Sequence, residues 1–368
     1  MAPSIIAHEP MSYLGASEAF DREILAIIEG WHEHAVGLSD EAFNDLALRL
    51  WAYQVRYNAP YATYCERRGV TLASPPESWE AIPAAAAPSF RSARIATFDG
   101  QAAAVFETSG TTTGEPGRHF LETTALYDAA LSAGFDRFIL GDGARLRYLN
   151  LVPNPEQSPH SSLGYMMGRV SSIRGDGRAG WYLDDGVLRY EAFAADLRHA
   201  IDDAQPICLA ATAFALVHLL SAMEENNACF SLPPGSRIME TGGFKGRSRT
   251  LSRSDLYAKT VERFGVANEN IIAEYGMTEL TSQYYDDPRR RKVGPPWLRA
   301  RVVGPERTTL PDGEVGSLIH VDLANRSSCL AVQTADMAQR DGEAFYLLGR
   351  AGDAEPRGCS LDAEALRV

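Results

Sequence analysis

Ile271-Ile272-Ala273-Glu274-Tyr275-Gly276-Met277-Thr278-Glu279 sets five residues of strand character directly before a glycine and a polar turn. The apolar part is too short for a helix and suits a buried strand. Upstream, candidate strands Ala102–Phe106, Arg147–Val152, Ile207–Ala211 and Arg237–Glu240 alternate with helical segments Tyr190–Asp203, Ala213–Asn226 and Ser252–Phe264. Such alternation predicts an α/β fold with a mostly parallel sheet covered by helices. In such sheets ligands bind beyond the C-terminal ends of strands, which is where the Gly276 turn falls.

The N-terminal part, from about Ser17 to Arg68, reads as helical, with Ser17 and Ser39 as expected N-caps. Phe43, Leu46, Leu50 and Trp51 recur at helical spacing and form one buried stripe. Pro83 to Pro88, with four alanines, reads as a connector. Residues 293–348 look β-rich: Pro311 to Glu314 make a turn, Val315–Asp322 alternates as a strand, and Asp341-Gly342 marks a hairpin. The expected division is a helical segment at 1–80, an α/β core at 81–292, a small β-rich subdomain at 293–348 and a tail at 349–368.

A chain of 368 residues can bury a large core, and its formal net charge of −13 argues against nucleic acid or an anionic membrane as partner. Arg289-Arg290-Arg291-Lys292 departs from that background and reads either as a solvated loop or as a docking site for a phosphate or acidic carrier protein. Five scattered cysteines without CxxC spacing fit a reducing compartment better than a disulfide framework. Met1 to Ile6 lacks a basic patch before an apolar core, and no run nears the roughly 20 apolar residues of a bilayer span. The expected location is cytoplasmic, without membrane insertion.

Two further segments carry chemistry. Thr108-Ser109-Gly110-Thr111-Thr112-Thr113-Gly114 is rich in hydroxyls and closely spaced backbone N–H groups, as a phosphate cradle requires, though a polar turn reads equally well. It lacks the Gly-Lys-Ser/Thr of a Walker loop. Arg118 and His119 supply a cationic end; a lone histidine there is either structural or a phosphate or carboxylate contact. In the opening motif, Tyr275 can stack on a flat ring, Gly276 permits a sharp turn, the Thr278 hydroxyl can bind a phosphate oxygen, and Glu279 is a hard ligand suited to Mg²⁺.

In this order, and with Thr241-Gly242-Gly243-Phe244 between them, these segments resemble the nucleotide motifs of the adenylate-forming (ANL) enzymes. Thr241 to Arg247 and Arg357-Gly358-Cys359-Ser360-Leu361 narrow the resemblance to the acyl-protein synthetases typified by LuxE, over roughly residues 80–368. The resemblance implies the large N-terminal ANL domain, with parallel sheets flanked by helices and a small β-rich subdomain, lacking the mobile C-terminal domain with its catalytic lysine. It implies use of ATP and Mg²⁺ to activate a carboxylic acid, fatty in that family, and transfer to an acceptor protein, a carrier protein or coenzyme A. Gly242, Gly243 and Phe244 then form an adenine wall, Thr334-Ala335-Asp336 supplies a ribose-binding aspartate, Arg350 contacts ribose, and Cys359 accepts the acyl group. Departures from the family pattern are the extra Thr113, Ala335 for a usual Gly, and Gly352 for the first hinge aspartate.

Overall fold

The computed structural model describes residues 12–108, 115–242 and 252–350. The chain opens with helices α1 (Tyr13–His34), α2 (Asp40–Tyr57) and α3 (Ala59–Glu66). Ser39 caps α2 by accepting from the Ala42 N–H, and Phe43, Leu46, Leu50 and Trp51 are buried as their spacing predicts. Ser17 is not a cap. It lies inside α1 and donates back to the Leu14 carbonyl at 3.0 Å, while Ser12 accepts from Gly15 N–H at the true start.

Strand β1 (Ala85–Ala86), within the expected connector, and a short helix α4 (Ser89–Ser92) lead to an antiparallel hairpin, β2 (Ala104–Glu107) and β3 (Arg118–Leu121). The strand expected at Ala102–Phe106 therefore exists, shifted, but pairs only within this hairpin and not in the large sheet. Four residues paired to a local partner cannot be told from a parallel strand by apolar pattern alone. Helix α5 (Ala125–Phe135), strand β4 (Arg147–Leu151), helix α6 (Ser162–Arg174) and short strands β5 (Gly180–Trp181), β6 (Leu183–Asp184) and β7 (Val187–Leu188) follow.

Next come α7 (Tyr190–Asp202), β8 (Ile207–Thr212), α8 (Ala213–Glu225), β9 (Arg237–Thr241), α9 (Arg253–Phe264) and β10 (Ile271–Tyr275). Strands β5, β4, β8, β9 and β10 lie side by side and parallel. Nearly every residue of β4 and β8 is buried, as a sheet covered on both faces demands. The remaining strands are β11 (Tyr284–Asp286), β12 (Lys292–Val293), β13 (Leu298–Val303), β14 (Val315–Asp322), β15 (Ala331–Asp341) and β16 (Ala344–Arg350). They extend the sheet antiparallel from β10 in the order β11, β12, β16, β15, β14, β13, giving twelve strands among the described residues, with β1 parallel to β15.

Three of the four side chains of the basic run bond within the protein, while Arg289 is exposed. Lys292 is 2% exposed and pairs with Asp286 at 3.0 Å. Arg291 bonds Asp287 and Asp341, and Arg290 donates to the Ile271 and Asn268 carbonyls. Cys65, Cys208 and Cys329 are buried thiols, and burial pushes Cys65 up to about 11 and Cys208 up to about 12. No helix among the described residues is long and apolar enough to cross a membrane.

Candidate functional site

Parallel strands β9 and β10 end together at Thr241 and Tyr275, so the turns that follow emerge from one edge of the sheet. Gly242 begins the first turn at φ +79°, a conformation side-chain-bearing residues rarely adopt. At Gly276 the restriction is space: a Cβ there would lie 2.5 Å from Glu274 Oε1 and 3.3 Å from Gln283 Cγ.

Successive side chains of β10 point to opposite faces. Glu274 turns to one and receives the Thr241 hydroxyl. Tyr275 turns to the other, where its ring packs among Tyr284, His320 and Phe345. Its hydroxyl donates to Asp336 Oδ2 at 2.9 Å, with His320 Nε2 at 3.2 Å. The Thr334 hydroxyl donates to the same oxygen at 3.0 Å, and Arg350 Nε reaches Asp336 Oδ1 at 3.2 Å. Tyr275, Asp336 and Arg350, 75 residues apart at the extremes, thus meet at one carboxylate. Tyr275 is 8% exposed, so little of its ring remains open to a base.

Thr278 and Glu279 occupy the turn after β10. Glu279 is 5% exposed; burial pushes its carboxyl up to about 7, against the opposing pull of Arg350 and Arg91. The Thr278 hydroxyl points toward the Glu107 carbonyl, at 3.5 Å, on the β2–β3 hairpin. Thr108 closes the mouth of that hairpin: its N–H donates to the Gly117 carbonyl and its hydroxyl accepts from Gly117 N–H, both at 2.9 Å. Arg118 pairs across the hairpin with Glu107 at 3.0 Å and stays half exposed.

His119 is fully buried, not a group at the edge of a phosphate cradle. Nδ1 lies 2.8 Å from the Thr278 carbonyl and Nε2 lies 3.0 Å from Asn325 Oδ1. Burial pulls the ring down to about 4, so at neutral pH it carries one proton and cannot touch a substrate. The catalytic role expected of it is not supported, because β3 turns its side chain inward. Ser109, Gly110, Thr111, Thr112, Thr113, Gly114, Gly243, Phe244 and Cys359 lie outside the described residues.

Sequence reading missed Glu274, His320, Asp322 and Asn325. Asp322 ends β14 and accepts from the N–H groups of Thr281, Ser282 and Ala324 and from the Ser282 hydroxyl. The signal available was a pair of polar residues, Asp322 and Asn325, closing an otherwise apolar strand.

The donor set suits a nucleotide with a divalent cation. A carboxylate held at one oxygen by Tyr275 and at the other by Arg350 keeps lone pairs that can accept two sugar hydroxyls. Glu279 offers a single hard oxygen ligand; among the described residues no group of three or more His, Cys, Asp or Glu side chains is arranged to hold a metal. That matches Mg²⁺, which is commonly held by one or two carboxylates with phosphate oxygens and water. Around the motif, Thr281 Oγ1, Gln283 Oε1 and Gln333 Oε1 are buried polar atoms without a protein partner, which water or a bound group would satisfy.

The chain is similar to several known proteins. The family described as acyl-protein synthetase, LuxE, matches residues 187–366. A long-chain-fatty-acid–luciferin-component ligase of Aliivibrio fischeri is 25% identical over 196 residues, 52% of this chain and 51% of the relative, so the match spans about half of that protein. The protein of the same name from Vibrio harveyi is 23% identical over 324 residues, 84% of each chain. Among solved structures, an open 2-hydroxyisobutyryl-CoA ligase in complex with 2-HIB-AMP and CoA superposes with a TM-score of 0.59 at 14% identity, over 85% of this chain and 75% of the ligase. At that identity the likeness is one of fold alone.

Proposed function

We propose that this chain, which resembles the acyl-protein synthetases over residues 187–366, activates a carboxylic acid with ATP and Mg²⁺. The acid would be a long-chain fatty acid, as the names of the two luciferin-component ligases indicate for those relatives. The observation that carries this reading is the meeting of Tyr275, Asp336 and Arg350 beside the Thr278–Glu279 turn, beyond the C-terminal ends of β9 and β10.

In the proposed reaction an oxygen of the acid attacks the α-phosphorus of ATP. The bond from that phosphorus to the bridging oxygen breaks, and pyrophosphate leaves with the electron pair. Asp336 accepts the ribose hydroxyls and Arg350 keeps that carboxylate oriented. The Thr278 hydroxyl donates to an α-phosphate oxygen, and Gly242 lets the backbone approach the base closely. Glu279 would hold Mg²⁺, which supplies neutralisation of phosphate charge when bound. The chain's own contribution is mostly alignment and fixed charge, which in-line displacement rewards most.

The acyl group would then pass to a thiol. Attack of the Cys359 thiolate on the mixed anhydride forms a thioester and releases AMP. Incubation with ATP, Mg²⁺ and radiolabelled fatty acid should leave hydroxylamine-labile label on the protein, and Cys359→Ser should abolish that label while acyl-AMP still forms. Label that persists in Cys359→Ser, or acyl-AMP that passes only to added coenzyme A or carrier protein, would contradict transfer to Cys359.

A further inference from the structure

The turn that carries Thr278 and Glu279 is held by almost none of its own hydrogen bonds. Thr278 offers its carbonyl to His119 Nδ1 at 2.8 Å. Glu279 offers its carbonyl to Asn325 Nδ2 at 2.9 Å, and the same amide donates to Cys329 O at 2.9 Å. Thr281 and Ser282 give their N–H groups to Asp322 Oδ2 at 2.9 and 2.8 Å. With the ring's single N–H given to the Thr278 carbonyl, Nε2 makes only a contact with Asn325 Oδ1 at 3.0 Å, and that contact sets the first two anchors side by side as one unit. His119, Asp322 and Asn325 are each 1% exposed or less.

These anchors come from two places. His119 sits on β3, the strand that leaves the phosphate-loop hairpin, whereas Asp322 and Asn325 follow β14. Asn325 cannot be reversed without harm, since its oxygen would then face two carbonyls. The unit therefore has a defined sense and joins the hairpin to the turn across the sheet edge.

We infer that His119, Asn325 and Asp322 are positioning residues that fix the carboxylate of Glu279 in register with the β2–β3 hairpin. This rests on Glu279 being the metal ligand of the proposed reaction. None of the three would touch substrate. Their part is to keep one hard ligand at a constant distance from the phosphates that share its cation, as outer partners of metal ligands do.

The test compares His119→Ala, Asn325→Ala and the double variant by backbone hydrogen exchange and by Mg²⁺ titration of ATP binding. Leaving a buried carbonyl without its donor should speed exchange across residues 276–283 about tenfold or more, with α7 and α8 unchanged. Half-saturating Mg²⁺ should rise about tenfold or more while ATP binding without Mg²⁺ is retained. The double variant should lose little beyond either single one, because the two side chains act as one unit. His119→Gln keeps one donor and should recover part of both effects, and it serves if the alanine variants fold poorly. Unchanged protection, protection lost evenly over the chain, or local loss without a shift in Mg²⁺ dependence would each overturn the inference. Exchange and titration need no acid substrate, so failure of acid activation in the unaltered chain is a separate result.

Discussion

In the proposed reaction Glu279 would hold the cation, and its burial has a price in protons. A carboxyl pushed up to about 7 is largely protonated in mildly acidic solution and then cannot hold a cation. Half-saturating Mg²⁺ should therefore climb as pH falls below about 7, approaching tenfold per unit, and flatten above about 8. Glu279→Gln should remove that pH dependence and lower the activation rate about a hundredfold or more. The stability sign is opposite to that of a salt-bridged carboxylate. Between an unfolded value of about 4.3 and a folded value of about 7 the native chain binds more protons, so this group's burial destabilises the fold progressively as pH rises through that window. The choice of Tyr275, Thr278, Glu279 and Asp336 as candidates was legible at the residue scale, because they carry types that nucleotide chemistry needs. What each faces was not: nothing in the sequence turns the Tyr275 hydroxyl toward Asp336 or buries His119 beneath the motif. Those facts depend on register across strands far apart in the chain.

Among the elements, β10 was predicted to the residue, and β4, β8 and β9 to within one, because covered parallel strands are nearly continuous apolar runs. The β2–β3 hairpin was not, since its partner lies only ten residues away and its apolar content resembles that of a core strand. The turn after β10 depends on Gly276 for space. Gly276→Ala would press a methyl onto the Glu274 carboxyl and should destabilise the protein by about 1 to 3 kcal/mol in denaturant unfolding. Adding Glu274→Ala should restore part of that loss by opening the space. An additive double variant would contradict the contact.

Across the molecule, the N-terminal helices are bound to the segment that holds the site. Arg326, 1% exposed on its side chain, pairs with Asp21 on α1 at 2.8 Å and with Glu122 beyond β3. Gln54 on α2 donates to Asn325 O at 2.8 Å and accepts from Leu330 N–H at 2.9 Å, and Asn58 donates to Ser328 O. Arg326→Ala would leave two carboxylates facing each other's former partner and should cost about 3 kcal/mol, seen as a lower unfolding midpoint and earlier proteolysis within α1. Such long-range pairing is invisible in sequence, where residues from about 17 to 68 read simply as helical. The measurement that bears most directly on the whole account is carboxylate-dependent exchange of labelled pyrophosphate into ATP, across short, long and aromatic acids. The account predicts exchange that requires Mg²⁺, is supported best by long-chain acids, and is lost in Glu279→Gln. Demonstrable ATP binding with no exchange for any acid would contradict it.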